Sequence, residues 1–204
     1  MIRVKHVAAA AFAILSVCCI GRRGERCILP PTVELKAGDV VFRQGGGITS
    51  HAVMFADRGG TYSHLGIVVD SAGTKMIVHA VPDEHDFPGD SDRVKMERPE
   101  KFFSSMNAGA GLVMRTADSA AASRAARAAV AVYRRGTGFD HDYDDADTVR
   151  MYCCELVEHV YSAAGRPLTG GVRHKVEMPG FRYDSVMYPS DFVRSPRLRV
   201  IAEF

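Results

Sequence analysis

Two adjacent cysteines stand at the predicted start of a helix, in residues 151–157 (MYCCELV). Far earlier in the chain, His64 opens an apolar, strand-like segment directly after a polar turn. A thiol at the start of a helix and an imidazole on a strand are the two halves of a site for nucleophilic catalysis by cysteine. In this chain the histidine comes before the cysteine. These positions are therefore the first candidates for chemistry.

Cys153 is the better placed of the two cysteines. On a helix over residues 152–164 it shares a stripe with Val157 and Val160, on the packed face, whereas Cys154 lies on the neighbouring stripe. Unpaired backbone N–H groups and the helix dipole in the first turn favour a thiolate and can hold an oxyanion. The alternative is a free cysteine that only packs, which is common in protein cores.

His79 is the candidate for a third polar group. A hairpin that turns at Ala72 and Gly73 places His79 close to His64 across two paired strands. There it would hydrogen-bond the far ring nitrogen of His64 and fix its tautomer. The alternative is a cross-strand polar pair without a part in catalysis.

The elements that must hold these residues predict an α+β protein. We expect a short helix after residue 48, capped by Thr49 or Ser50. An alanine-rich helix through residue 135 should begin at Asp118 or Ser119. Between the cysteine helix and the last strand the chain is predicted to be irregular. Strands are expected within residues 35–43, 64–69, 75–80, 94–97, 111–115 and 197–202.

The bulk composition is that of an ordinary globular protein. The chain has 204 residues, which suits one domain with a sizeable core. Its net charge of +2 is small, and its arginines form no basic stripe interleaved with aromatic residues. Nucleic-acid binding is therefore not expected.

The first residues differ from the rest in kind. Residues 7–20 form an apolar run without a charge, preceded by Arg3 and Lys5 and followed by Arg22 and Arg23. The run is shorter than the about 20 residues that a membrane-spanning helix needs, and it fits the apolar part of an export signal. We therefore divide the chain into a signal peptide or lipoprotein signal (1–20), a linker (21–34) and a catalytic domain (35–204).

Residues 15–18 (LSVC) resemble a bacterial lipobox, in which the cysteine carries a lipid. Lipid on Cys18 or Cys19 would attach the protein to a membrane, so we expect a cell-envelope protein, either periplasmic or membrane-anchored. An uncleaved signal anchor and a buried helix are the alternatives. A disulfide between Cys27 and one of the pair at 153–154 would leave the other thiol free.

An acidic loop invites a calcium interpretation, which its spacing does not support. Asp140, Asp142 and Asp144 match the first ligands of an EF-hand loop, but Asp145 replaces the required glycine and Met151 the final glutamate. Adjacent cysteines also lack the spacing of a zinc site. We therefore predict no metal and no organic cofactor. A vicinal disulfide would be strained and would silence the thiol.

The segments 62–68 (YSHLGIV), 76–80 (MIVHA) and 152–157 (YCCELV), in this order, resemble the NlpC-type branch of the papain-like cysteine peptidases. The order of histidine and cysteine resembles its circularly permuted, YiiX/YaeF-like members. Three further segments also fit the family, so the resemblance covers about residues 35–200: residues 36–43, 138–140 and 188–191. It implies an α+β, papain-like fold with circularly permuted topology, in which an antiparallel sheet packs against the cysteine-bearing helix.

The resemblance also implies roles for individual residues. Cys153 takes the position of the nucleophile, His64 that of the base and His79 that of the third polar residue. The backbone N–H of Cys153, helped by Tyr62, would hold the oxyanion. Cys154 stands where the family often has serine, and permuted relatives often have glutamate in place of the third-position histidine.

The implied function is hydrolysis of an amide or ester through an acyl-enzyme, with cell-wall peptide as the first substrate class. A lipid or fatty-acyl hydrolase or acyltransferase, similar to lecithin:retinol acyltransferase, is the alternative. A non-catalytic binding domain on the same fold is the third hypothesis. Apolar lining from residues 48–55 and 172–188 would favour a lipid, and a polar groove would favour wall peptide. The oligomeric state is not predicted.

Overall fold

The computed structural model describes residues 25–143, 147–178 and 181–204. The predicted signal at residues 1–20, with its lipobox, lies outside these residues, as do Asp144 and Asp145 of the acidic loop. In the described part of the chain, no helix combines the length and the apolar composition needed to cross a bilayer.

The described residues form ten strands and five helices. The strands are β1 (Val40–Gln44), β2 (His64–Ser71), β3 (Thr74–Val81), β4 (Arg93–Glu97), β5 (Ala110–Thr116), β6 (Gly138–Phe139), β7 (Arg150–Met151), β8 (His174–Met178), β9 (Phe181–Val186) and β10 (Leu198–Glu203). The helices are α1 (Ile48–Ala56), α2 (Pro99–Phe102), α3 (Ser119–Arg134), α4 (Cys153–Ala163) and α5 (Pro189–Val193).

Eight strands form one sheet in the order β10-β5-β1-β2-β3-β4-β6-β7. Its pairs are antiparallel except for β6 and β7, which run parallel, and β8 and β9 form a separate two-stranded sheet. The predicted α+β class is confirmed.

The β2–β3 hairpin sets the register of the site. Ala72 and Gly73 both have positive φ, 51° and 78°, as a two-residue hairpin turn of the primed type requires. Ile67 pairs with Val78, so one step further along the ladder His79 stands opposite Gly66. This is the register predicted from the turn.

The sheet has two packed faces. One face packs against α3 and α4 in the main core, which includes Leu65, Ile67, Val78, Ala125, Ala129, Val132, Val157 and Val160. The opposite face, with α2, forms a second core of Leu35, Val41, Val68, Ile77, Phe102, Phe103 and Val113. Gly38 lies so close to α3 that a Cβ added there would be 2.5 Å from Cβ of Ala122. The small residues at both positions permit this close packing. The side chain of Asp118 caps α3 by accepting from the N–H of Ala121 at 2.9 Å.

Two local predictions are wrong. Helix α1 begins at Ile48 after Gly47, without a side-chain cap from Thr49 or Ser50. The segment after α4 is not irregular, because it contains β8, β9 and α5. A five-residue helix is too short to show a 3.6-residue period, and short strands between glycines and prolines give little alternation.

The described part of the predicted linker lies against the domain. Cys27 forms a β-bridge with Ser104, and the N–H of Ile28 donates to the carbonyl of Phe103 at 2.9 Å. Cys27, Cys153 and Cys154 are all free thiols, so no disulfide joins Cys27 to the cysteine pair.

Candidate active site

Cys153 is the first residue of α4. The N–H of Tyr152 donates to the Glu155 carboxylate at 3.3 Å, and the Tyr152 hydroxyl accepts from the N–H of Met187 at 2.9 Å. These bonds fix the start of the helix. Cys153 is partly exposed and Cys154 is buried, although both border the same cavity. Of the two thiols, the first turn therefore leaves Cys153 the more accessible.

His64 begins β2 and faces both the thiol and the second histidine. Its Nε2 lies 2.8 Å from Nδ1 of His79. Its side chain is also hydrogen-bonded to the thiol of Cys153. Because Nε2 is occupied by His79, Nδ1 is the atom of His64 that serves the thiol.

Glu97 continues this line of polar groups, and no sequence motif had pointed to it. Nε2 of the fully buried His79 lies 3.1 Å from Oε1 of Glu97, a bent contact in which the N–H does not point straight at the oxygen. Lys101 lies 3.2 Å from the other carboxylate oxygen. Lys95 pairs with His79 in the β3–β4 ladder, so Glu97, two residues further on, shares that face of the sheet. The period-two alternation of side chains in β4 is the sequence feature from which the position of Glu97 beside His79 could have been predicted.

The ionised state of Glu97 decides which way the protons point. Burial alone would raise its pKa, but the hydrogen bond to His79 and the nearby positive charges of Arg43 and Lys101 outweigh burial and lower the pKa. A carboxylate can only accept, so His79 carries a proton on Nε2. In the tautomer that has a lone pair on Nδ1, His79 accepts from the Nε2–H of His64. Nδ1 of His64 is left with a lone pair toward Cys153, which is the tautomer that a base requires.

The thiol and the imidazole share their protons as a pair. A hydrogen bond from Cys154, then the hydrogen bond and charge of His64 and the N–H of Leu65, lower the pKa of Cys153 well below its usual value against the effect of burial. Burial, together with the charge of Arg43, lowers the pKa of His64 to about 4. Interacting groups titrate as a unit. Protonation of either group therefore changes the pKa of the other.

Cys154 behaves oppositely to its neighbour. Burial raises the pKa of Cys154, and so do its hydrogen bond to Cys153 and the charge that Cys153 carries. Cys154 therefore remains a protonated donor. Of the two cysteines, only Cys153 has both access to the cavity and a lowered pKa.

Tyr62 is not brought to the site. It is buried and does not line the cavity. Its hydroxyl donates to the carboxylate of Glu203 on β10 at 2.9 Å. The oxyanion role predicted for Tyr62 is therefore not supported by its placement, whereas Cys153, His64 and His79 do lie together.

The cavity beside Cys153 has a volume of about 560 Å³. Its polar wall is formed by Arg43, Ser63, Asp83, Glu84 and Asn107. The apolar wall is formed by Ile48, Val53, Val81, Met106, Phe139, Val186 and Met187, with tyrosines at 143, 152 and 188. Arg43 is buried, stacks on the Phe102 ring at 4.7 Å and pairs with Glu84. The cavity thus offers both charged and apolar side chains to a substrate.

A known family carries this arrangement of fold and thiol. The sequence model of the permuted papain-like amidase enzymes, the YaeF/YiiX or C92 family, matches residues 34–202. The chain belongs to this family. It is accordingly a papain-like cysteine amidase or peptidase, as the order of histidine and cysteine predicted.

A solved structure shows the same fold as this C92 family member. The chain is similar to a structure titled as the metalloprotein YiiX from Escherichia coli O157:H7, with a TM-score of 0.67 and 21% identity. The similarity covers 84% of this chain and 99% of that chain. The predicted permuted papain-like fold is confirmed. No curated protein matches the chain.

The YiiX title raises the question of a metal. Within residues 25–143, 147–178 and 181–204, no group of three or more His, Cys, Asp or Glu side chains is placed to hold a metal ion. The described residues of this C92 member therefore do not fit a metal centre, and the steps proposed below use its own side chains.

Proposed function

We propose that Cys153, His64 and His79 catalyse hydrolysis of an amide or ester through a covalent acyl-enzyme. The observation that carries the proposal is the buried line of polar groups from Cys153 through His64 and His79 to Glu97. Membership of an amidase family supports the reaction class. Each of the two histidines has one neighbour to accept from and one to donate to, which is the requirement for directed proton transfer.

The reaction begins with attack by sulfur. The Sγ atom of Cys153 bonds to the substrate carbonyl carbon, and the proton that the pair shares resides on Nδ1 of His64. The carbonyl oxygen becomes an oxyanion close to the first turn of α4, where backbone N–H groups have no partner within the helix. The N–H of Cys153 itself is the donor that we assign to this oxyanion.

Breakdown of the tetrahedral intermediate uses the same proton. His64 gives it to the leaving nitrogen or oxygen as the bond to carbon breaks, and the acyl group stays on Cys153 as a thioester. Water then gives a proton to His64 and attacks the thioester. The acid is released and the shared proton returns to the pair. His79 and Glu97 act through His64 by holding its ring and tautomer.

The charged and the apolar side chains that line the cavity support two substrate classes. A wall peptide, which carries amines and amide N–H groups, suits Asp83 and Glu84, and we propose this class together with export to the cell envelope. A second candidate is a fatty-acyl amide or ester. It is favoured because residues 48–55 and 172–188 contribute Ile48, Val53 and Met187 to the apolar wall.

Mass spectrometry of the intact protein tests the proposal. Incubation with a peptide amide or an acyl amide, followed by rapid acid quench, should add the mass of the acyl group to Cys153 and release the amine. Cys153→Ala should show neither change. If amine is released without an adduct on Cys153, or if wild type and Cys153→Ala are equally inert with both substrate classes, the covalent mechanism is wrong and a binding domain is the better description.

A further inference from the structure

Helix α1 exposes an apolar face beside the cavity. Ile48 and Phe55 lie two turns apart on one side of the helix, and their exposed fractions are 91% and 78%. The helix contains no acidic or basic residue apart from His51, and none of its residues is buried. Isolated exposed apolar residues are ordinary, but an uncharged helix on which no side chain is fully buried is not.

Met106 adds a further exposed apolar side chain to the cavity. Its exposed fraction is 78%, and both Met106 and Ile48 line the cavity that contains Cys153. The cavity lining thus carries exposed apolar side chains from two separate segments of the chain. Arg58, two residues after the end of α1, is exposed and carries a positive charge. Ile48, Phe55 and Met106 are called the rim below.

The chain enters the domain at this same place. The N–H of Ser105 donates to the carbonyl of Arg26 at 2.7 Å, and the N–H of Arg26 donates to the hydroxyl of Ser105 at 3.3 Å. Cys27 bridges to Ser104. The next residue along is Met106 of the rim. Arg26 therefore lies beside the segment that carries Met106.

The preceding sequence is suited to a bilayer. Residues 7–20 carry no charge, and Arg22 and Arg23 follow them. Five residues lie between Ile20, the end of the apolar run, and Arg26. An extended chain spans at most about 3.6 Å per residue, so the six steps from Ile20 to Arg26 reach roughly 20 Å. Arginines in that connection favour anionic headgroups. A bilayer that holds the run must lie within that distance of Arg26.

We propose that the rim docks on a lipid bilayer with anionic headgroups, so that the cavity of Cys153 opens toward the membrane surface. A lipid on Cys18 or Cys19, or the apolar run where it stays uncleaved, tethers the domain, and Ile48, Phe55 and Met106 enter the boundary between headgroups and acyl chains. Side chains of this kind enter a bilayer by about 5–10 Å in interfacial helices. The proposal is independent of the catalytic steps, since docking requires neither the thiol nor His64.

The absence of tryptophan from the sequence allows a direct test. Phe55→Trp, in the full chain, places the sole tryptophan on the rim. Val200→Trp is the matched control, because Val200 is also apolar and 56% exposed but lies on the edge strand β10 and does not line the cavity. Both proteins are reconstituted in vesicles of phosphatidylcholine and phosphatidylglycerol, with and without bromine on the acyl chains.

The Phe55→Trp emission should shift to the blue on vesicles and fall roughly twofold or more with brominated chains, as expected for a ring at the acyl boundary. The Val200→Trp emission should change little. Unquenched emission from Phe55→Trp in protein that sediments with the vesicles would overturn the proposal. Equal quenching at both positions would also overturn it. A blue shift that depends on protein concentration and not on bromine would overturn it too, because it would show that a second copy of the protein covers the rim. Cys153 alkylation in both variants reports separately on the catalytic site.

Discussion

Nε2 of His64 lies 2.8 Å from Nδ1 of His79. Two histidines so joined leave one free nitrogen at each end of the pair, one toward Cys153 and one toward Glu97. The carboxylate at one end therefore selects the tautomer at the other, through two rings and without touching the thiol. A base positioned in this way depends on a residue two strands away from its own.

Removal of Glu97 should lower kcat by roughly 10-fold or more, because the tautomer of His64 that accepts the thiol proton is then no longer favoured. The loss is limited because general acid–base catalysis supplies only one part of the rate enhancement. KM should hardly change, since Glu97 does not line the cavity. Steady-state kinetics of Glu97→Met measures this. Glu97→Gln keeps an acceptor oxygen and should recover part of kcat.

Lys101→Met is the control for Glu97, because it removes the other close contact of that carboxylate. Its kcat should stay near the wild-type value. Equal losses in Lys101→Met and Glu97→Met would assign Glu97 to a structural ion pair and not to the histidine pair.

Acid should destabilise the protein through His64. Its pKa is lowered from 6.5 to about 4 in the fold, so the unfolded chain binds the extra proton first as the pH falls. The stabilisation is fully present above pH 6.5 and is lost between 6.5 and 4. A shift of this size corresponds to roughly 3 kcal/mol at 1.36 kcal/mol for each pH unit.

Denaturant unfolding of wild type and His64→Gln at several pH values measures this loss. The free energy of unfolding should fall more steeply with acid in wild type than in His64→Gln, across that window. Parallel curves for the two proteins would show that His64 carries a proton in the fold at those pH values, in conflict with its burial beside Arg43.

Cys154 should matter as a donor. Cys154→Ser keeps a donor beside the sulfur of Cys153, so the pH dependence of Cys153 alkylation should stay close to wild type. Cys154→Ala removes the donor, and the alkylation midpoint should move to higher pH. The rates of iodoacetamide reaction, followed across pH, report this shift. A lower midpoint in Cys154→Ala would mean that Cys154 opposes the thiolate.

The apolar wall predicts a dependence on acyl-chain length. If the second candidate substrate is correct, each added methylene that becomes buried contributes about 0.8 kcal/mol, so kcat/KM should rise about fourfold per methylene until the cavity is filled. Met187→Asn should flatten this series, and Asp83→Asn should leave it unchanged. A flat series in wild type together with a loss of peptide cleavage in Asp83→Asn would favour the wall peptide.

Local patterns predicted the parts of the fold that local chemistry controls. The turn at Ala72 and Gly73 determines the β2–β3 register, and the start of α4 places the cysteine pair. Family resemblance predicted the permuted topology, which short-range patterns do not encode. The helix stripe predicted that Cys153 packs against the core, which it does, but not that the first residue of α4 also borders the cavity.

Long-range partners could not be predicted in the same way. Glu97 meets His79 only because β4 pairs with β3 after a loop, and its neighbours then lower its pKa. Tyr62 was expected at the oxyanion, but β10 brings Glu203 to its hydroxyl from the end of the chain. Such contacts depend on the closure of the whole sheet and leave no periodic signal in the sequence.

The central claim is that Cys153 is the nucleophile and His64 its base, and thiol labelling across pH tests it most directly. With an iodoacetamide probe below neutral pH, we predict that labelling persists in wild type and in Cys154→Ser, disappears in Cys153→Ser and is reduced in His64→Ala. Labelling that persists in Cys153→Ser and disappears in Cys154→Ser would contradict the claim.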